Sequence, residues 1–341
     1  MKKSRLMVLM HRDLVPKSGA KRSELDVDRC PWITELDVIT ALKKRGHEVL
    51  PLGIYGDLKP IRDAIEEFKP HATFNLLEEF DGEALFDQNV VSYLELLRQP
   101  YTGCNPRGLI LARDKALAKK VLNYHRIKTP AFAEFPLWAG IKIPKELPYP
   151  CIVKCQMEEA SLGISRSSVV RSKDKLIDRV NWIHDKLGYH AIAEEFIEGR
   201  ELYVGVYGHQ RLSTLPVWEV AFDKVLEPGK EIYTRMAKWN PDYRARKGIK
   251  SGPAKLSPAL EKKVLDICKR TYRALHLSGY ARIDLRVTEQ GEIYVIEANP
   301  NPNIGRDDEF AESASRKGIK YDDLVEKVVS LAYARSTIYN D

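Results

Sequence analysis

The sequence predicts a chain of three modules, α/β at its start and α+β after that. Three observations carry this prediction. Apolar strands alternate with amphipathic helices over residues 1–108, the spacing of a small open parallel sheet. Two later stretches each combine short strands with a long helix. Near the C-terminus, Tyr280 to Gly305 holds two alternating apolar runs around Thr288-Glu289-Gln290-Gly291, which reads as a β-hairpin with a short Gly-containing turn.

In the first module the apolar run 5–10 predicts a buried strand, followed by a long polar loop. Leu36, Val38, Ile39, Ala41 and Leu42 predict a helix over 34–45, and a strand follows over 47–52. The series continues with a helix over 61–68, a strand over 72–76 and a helix over 86–97 that ends before Pro100. The second module, residues 109–199, opens with a helix over 112–125 carrying Asp114-Lys115 in its first turn. Its strands fall at 132–135, 151–155, 167–170 and 191–196, with a helix over 173–187. The third module, residues 200–341, has strands at 202–207 and 215–222, a basic stretch over 239–252, a helix over 258–277, the hairpin, and a closing helix over 321–334.

Composition narrows the class. With 44% hydrophobic and 30% charged residues over 341 positions, the chain reads as an ordinary soluble protein with room for two or three cores. A net charge of +7 suits anionic ligands, and the aromatic interleaving of a nucleic-acid surface is missing. Five cysteines without a C-x-x-C pair suit a reducing cytoplasm. The five apolar residues before His11 are too few for a signal peptide, and no later run is long enough to span a membrane.

The hairpin carries the chemistry. With a two- or four-residue loop, Val287 faces Glu292 and Asp284 faces Val295, so that Arg282, Asp284, Glu297 and Asn299 project from one face. Asp284 and Glu297 become diagonal neighbours among apolar side chains, where unpaired carboxylates are costly. Two cations answer that need: Mg²⁺, for which Asn299 is a third hard oxygen ligand, and an internal salt bridge to Arg282. Both readings stay open on the residues alone.

Lys154 lies inside the run Cys151-Ile152-Val153. Either it meets an anion there or it snorkels to solvent from an edge strand. Lys115 and Lys238 by themselves are ordinary surface residues. Gln156 to Ser165 is a loop of small residues, including Glu158, Ser161 and Gly163, whose backbone N–H groups suit a phosphate lid. Glu194-Glu195-Phe196-Ile197-Glu198-Gly199-Arg200-Glu201 is either a solvated turn or a connection that reads an adenine edge and a ribose. Neither a P-loop nor a strand-following G-x-G-x-x-G occurs.

The order of these features closely resembles the ATP-grasp superfamily, in its D-alanine:D-alanine ligase branch: D-K opening a helix, a strand V-K, a Ser/Gly lid, E-E-x-I-x-G-R-E, then G-x-x-R-I-D and I-E-A-N. The resemblance implies a Rossmann-like N-terminal domain, a central lid domain and a C-terminal catalytic domain. ATP would lie between the last two. It implies phosphate contacts from Lys115, Lys154, Lys238 and the lid (Glu158, Ser161, Gly163), adenine held by Glu194, Glu195 and Ile197, and ribose held by Glu201. Two Mg²⁺ ions, or Mn²⁺, would sit on Asp284, Glu297 and Asn299. Arg282, Ser161, Lys238 and the backbone N–H of Asn303 would serve the reacting centre. The implied reaction joins a carboxylate to an amine through an acyl phosphate, and dimerisation is an expectation from the family alone.

Departures gather at the amino-acid side. Leu77 to Glu83 replaces the family's His-Gly turn, Ala160 replaces the first lid serine, and Pro-Asn-Pro-Asn follows Asn299. Glu35 and Glu79 are the candidates for a substrate ammonium. Asp308 stands where the ligases hold a carboxylate with serine. The substrates expected are therefore amino acids other than two D-alanines. A nucleotide-binding pseudoenzyme, an ATP-grasp kinase and a thioester-forming ligase are the alternatives.

Overall fold

In the computed structural model, which describes residues 3–157, 164–222, 224–225 and 241–338, the strands form three sheets drawn from residues 5–75, 132–195 and 200–300. The first contains β1 (Arg5–His11), β2 (Glu48–Ile54) and β3 (Ala72–Asn75), parallel in the order β2-β1-β3. Its helices are α1 (Ile33–Lys44), α2 (Lys59–Phe68) and α3 (Asp87–Leu96). Because successive side chains of a strand point to opposite faces, β1 feeds two cores. Met7 and Leu9 pack with Ile61, Val90 and Leu94, while Leu6, Val8 and Met10 pack with Val38 and Leu42.

The helix expected over 112–125 is two helices, α4 (Pro106–Arg113) and α5 (Lys115–Tyr124). Asp114 breaks them with extended backbone (φ −78°, ψ 101°), and its side chain accepts from the N–H groups of Ala116 and Leu117. Asn105-Pro106 supplies the missed start: Asn105 caps the N–H of Gly108, and the proline stands where its absent N–H costs nothing.

The second sheet comprises β4 (Phe132–Phe135), β5 (Cys151–Cys155), β6 (Val169–Val170) and β7 (Ala191–Glu195), all antiparallel in the order β4-β7-β5-β6. The strand expected over 167–170 shrinks to two residues because Arg166–Ser168 forms a 3₁₀ turn. Helix α6 (Lys173–Leu187) backs this sheet, with Leu176, Val180 and Ile183 on Cys151, Val153 and Ala193. β5 is an interior strand, so Lys154 does not snorkel from an edge.

The third sheet holds β8 (Arg200–Gly208), β9 (Leu212–Thr214), β10 (Trp218–Phe222), β11 (Ile249–Pro253), β12 (Gly279–Val287) and β13 (Ile293–Pro300). Its order is β11-β10-β8-β12-β13, with β9 beside β8. The single strand expected over 215–222 is interrupted at Pro216, which cannot donate to a ladder. Part of the basic stretch is ordered as α7 (Pro241–Lys247) and β11. Helix α8 (Pro258–Ala274) buries Val264 and Cys268 against β8 and β12. Two helices end the chain: α9 (Glu309–Arg316), which was not expected, and α10 (Tyr321–Ile338). α10 packs on α1 and the first sheet, where Val325, Val328 and Val329 share a core with Val8 and Val38. Among the described residues no helix is long and apolar enough to cross a membrane.

A seam ties the first sheet's following loop to the base of the hairpin. Cys104 N–H donates to Asn301 Oδ1 at 2.7 Å, and Arg335 donates to Gly103 O and, at 2.8 Å, to Ser278 Oγ. Gly279 sits here at φ +71°, with the Gly103 carbonyl in the space a Cβ would need. Gly279→Ala therefore meets backbone strain and a backbone clash together. We expect it to lower Tm by about 5 °C or more, measured by thermal melting, whereas alanine at the exposed, spatially open Gly140 should leave Tm unchanged.

Candidate active site

The two strands of the hairpin pair as Val287 with Ile293 and Leu285 with Val295, then as Asp284 with Glu297, Ile283 with Ala298 and Arg282 with Asn299. This corrects the expected register, in which Val287 faced Glu292 and Asp284 faced Val295. The ladder shifts by one residue between Leu285 and Asp284, and Ile296 is the residue that bulges. The bulge decides the chemistry of the face. In an unbroken ladder Asp284 would oppose Ile296, and Glu297 would point to the other side of the sheet. With it, Asp284 and Glu297 are directly paired and share a face with Arg282 and Asn299.

On that face Arg282 grips Asp284 with two donors, Nε to Oδ1 at 2.8 Å and Nη2 to Oδ2 at 2.9 Å, while Nη1 reaches Glu309 at 3.2 Å. The guanidinium also lies over the Tyr203 ring, 4.7 Å from its centroid. Burial opposes its charge, but Asp284 and Glu309 outweigh that and hold its pKa well above the ordinary value. The salt-bridge reading of the hairpin is thus present in this structure. Asn299 Nδ2 donates to Asp284 Oδ2 at 3.0 Å and approaches Glu297 Oε1 at 3.4 Å. Half a turn of the amide presents its oxygen instead, giving two carboxylates and an amide oxygen, the hard donors that Mg²⁺ or Mn²⁺ takes. Among the described residues no group of three or more His, Cys, Asp or Glu is placed to hold a metal. A cation here therefore depends on Asn299 as well as the acids.

Asp284, Glu297 and Ile296 form one wall of an open cleft between the second and third sheets, lined also by Lys154, Glu194, Ile197, Glu201 and Tyr203. Glu194, 1% exposed, lies between two ammonium groups, Lys119 Nζ at 3.0 Å from Oε1 and Lys154 Nζ at 3.0 Å from Oε2. Lys119 directs its hydrogen bond at the Ile296 carbonyl, 2.9 Å away, so its contact with Oε1 is mainly ionic. Burial alone would raise the Glu194 pKa, but Lys119 and Lys154 keep it below the ordinary value. Burial also disfavours the Lys154 charge, but Glu194 and Glu297 outweigh it and raise the pKa. For Lys119 burial wins over Glu194 and the pKa falls. Glu194, expected on adenine, lines the cleft and holds the two lysines.

Glu201, expected on ribose, lines the cleft and is held by Arg286 Nη2 at 2.8 Å and by the Tyr203 hydroxyl at 2.6 Å. Arg286 also donates to the Ile197 carbonyl at 3.1 Å, fixing the connection from the second sheet to the third. Glu195 lines the same cleft, and its backbone N–H donates to Ala131 O at 2.7 Å. Lys115 is buried at the head of α5, where its N–H bonds Gln156 O at 3.3 Å, and it does not line the cleft. Glu158, Ser161, Gly163 and Lys238 lie outside the described residues.

At the amino-acid end, Glu35 is buried in the first turn of α1. Burial, with Glu78 adding repulsion, pushes its carboxyl up to about 7. Glu79 is half-exposed, with Oε1 at 3.4 Å from His11 Nε2. Asn303 accepts from the Thr34 hydroxyl at 3.0 Å and from Gly305 N–H at 3.3 Å. The structure thus places Glu35 and Asn303 at the junction of α1 with the loop after β13, and sets Glu79 apart beside His11. Sequence reasoning missed Lys119, Arg286 and Tyr203. The first two left a signal, since Lys119 lies one helical turn from Lys115 and Arg286 continues the Arg282–Asp284 face of β12.

Residues 116–330 match the family model described as the D-ala D-ala ligase C-terminus. The chain is 32% identical over 301 residues to a D-alanine–D-alanine ligase of Syntrophotalea carbinolica, covering 86% of this chain and 88% of that protein. It is 29% identical to the corresponding enzyme of Carboxydothermus hydrogenoformans, at 86% and 90% coverage. It is 30% identical to the uncharacterized protein y4sG of Sinorhizobium fredii, at 87% of each. The fold superposes on the D-alanine–D-alanine ligase of Bacillus anthracis in complex with ATP, with a TM-score of 0.74, 23% identity, and 98% and 99% of the two chains covered. It also superposes on the VanG D-Ala:D-Ser ligase of Enterococcus faecalis, with a TM-score of 0.69, 19% identity, and 97% and 100% covered.

Two expectations follow from this geometry. Lys119→Met leaves Glu194 with one cationic partner and frees the Ile296 carbonyl, so it should cost about 3 kcal/mol, seen as a lowered denaturation midpoint. Glu35 stays protonated in the folded chain up to about pH 7 but ionises near its ordinary 4.5 when unfolded. Above that window the folded state carries a buried charge, so stability falls as pH rises from 4.5 to 7. Glu35→Gln should therefore match the wild type near pH 4.5 and exceed it at about pH 8.5 by roughly 2 kcal/mol, checked by melts across the range.

Proposed function

Since the chain belongs to the D-alanine–D-alanine ligase family, we propose that it is an ATP-dependent carboxylate–amine ligase, acting on amino-acid substrates other than two D-alanines. It would activate an acid as an acyl phosphate and release ADP and phosphate as an amide or peptide bond forms. One observation carries the reading. The bulge at Ile296 leaves Asp284, Glu297 and Asn299 on a single face of the hairpin, and Asp284 and Glu297 line a cleft whose opposite wall presents the buried Lys154.

The residues fit the parts such a reaction needs. Asp284, Glu297 and Asn299 would hold two Mg²⁺ ions, or Mn²⁺, which supply charge neutralisation to the phosphates of ATP. Lys154, its positive charge sustained by Glu194 and Glu297, would meet a phosphate oxygen from the second sheet. Lys115, Lys238 and the lid residues Glu158, Ser161 and Gly163 are assigned to the same task. Glu194, Glu195 and Ile197 would border the adenine, and Glu201 the ribose. Arg282 lies beside Asp284 and would face the substrate carboxylate. With the loop N–H at Asn303 it would then stabilise the oxyanion formed when an amine attacks the acyl carbon. A closed lid matters because water would hydrolyse the acyl phosphate. The three domains of this reading are residues 1–108, 109–199 and 200–341.

Glu297→Ala should cut ATP-driven amide formation by at least about 100-fold, measured as acid- and amine-dependent ADP release. Retained coupling in that variant would remove the hairpin from the mechanism. With hydroxylamine present, the wild-type protein should convert its donor acid to the hydroxamate, as an acyl phosphate requires. Stable phosphorylated product without hydroxamate would point to a kinase, and no Mg-dependent ATP consumption to a pseudoenzyme.

A further inference from the structure

Next to Arg282 the described residues gather more carboxylates than ion-pair partners for them. The loop after β13 and the start of α9 meet the first turn of α1 here. Asp307 is taken by Arg22, Glu309 by Arg282, and Asp37 by Arg22 and by the backbone N–H of Arg306. Asp308 is different: among the described residues no lysine or arginine nitrogen lies within 4.0 Å of its carboxylate. That carboxylate hangs over Gly305, in the space a side chain there would fill, and the Thr34 hydroxyl borders the same space at 2.9 Å. Burial and the neighbouring Glu309 push its pKa up to about 7.

A second, independent observation concerns Tyr321. It is 9% exposed, and its hydroxyl has no hydrogen-bond partner among the described residues. After burial itself, Asp37 and Asp308 are among the groups that keep this phenol protonated, which places it in the same cluster. Buried polar groups are rarely left unpaired without a reason. Among the described residues the four carboxylates Asp37, Asp307, Asp308 and Glu309 have only Arg22 and Arg282 as ion-pair partners, and the group that would complete the set is donor-only and positively charged: an ammonium or a guanidinium. A substrate carboxylate here would meet repulsion.

We propose that the amine-accepting end of the cleft takes a nucleophile bearing a second, cationic group, a diamine or basic amino acid, held by Asp308 and the Tyr321 hydroxyl. This rests on the ligase reading above and adds the chemical class of its acceptor. The Asp308 carboxylate pairs with the distant cation while the reacting amine, uncharged, is left to attack beside Arg282.

Acceptor panels on the full chain with Mg-ATP test it, after a screen of donor acids by hydroxamate formation. Lysine, ornithine, agmatine and cadaverine are compared with alanine, serine and glutamate in both configurations. The expected result is a kcat/KM at least about 10-fold higher for the cationic acceptors, and a loss of that preference in Asp308→Asn through KM, with hydroxamate formation retained. Should Asp308→Asn fail to fold, the wild-type panel decides alone. Hydroxamate formation with alanine, serine or glutamate as the best acceptor overturns the inference and leaves the ligase reading standing. Absence of hydroxamate with every acid overturns both.

Discussion

A carboxylate shut away from water between two ammonium groups is the constraint from which the rest of the site follows. Glu194 on β7 holds Lys154 on the neighbouring strand and Lys119 on α5, each at 3.0 Å. Lys119 in turn reaches the third sheet through the Ile296 carbonyl. Three buried charges in such a place are tolerable only together, since removing one partner strands another in a medium of low polarity. The same contact ends on the bulged residue, so the electrostatics of the second sheet and the register of the hairpin are mechanically joined. The acids that face the cleft owe their shared side to a one-residue irregularity that a lysine from another element supports.

How much of this could be read from the sequence depends on the kind of signal involved. The alternation of strand and helix in the first module was legible because burial on both faces leaves continuous apolar runs such as Leu6 to Met10. The oxygen-bearing face of the hairpin was legible too, although for a partly wrong reason: the expected register and the observed one both put Arg282, Asp284, Glu297 and Asn299 on one side. No periodicity argument could find the bulge, because one extra residue in a ladder leaves no mark on the apolar pattern of a single strand; in the fold the carbonyl of the bulged Ile296 is held by Lys119. The break at Asp114 was readable in principle from Asn105-Pro106 and from the capping power of aspartate. The partners of Lys154 and Glu201 were not, since ion pairs across 40 or more residues leave no local trace.

At the other end of the cleft the chain behaves differently. Arg282 is satisfied twice over, by Asp284 and Glu309, and Arg22 answers Asp307 and Asp37. Asp308 and Tyr321 stand apart from this pairing: among the described residues no lysine or arginine forms an ion pair with Asp308, and the Tyr321 hydroxyl has no hydrogen-bond partner. Local inconsistency of this kind is characteristic of places shaped by a ligand instead of by stability.

The last helix has a consequence of its own. Because α10 supplies Val325, Val328 and Val329 to the core beneath β1 and α1, the first sheet lacks part of its apolar cover until α10, more than 230 residues further along, has been synthesised. The middle of the molecule, with strands that pair only with one another and a helix of their own, has no such delay. Assembly is then expected to begin with the second sheet and to close by bringing the first sheet and α10 together, a late and entropically demanding step that leaves the first sheet open to chaperones and to misassociation during synthesis.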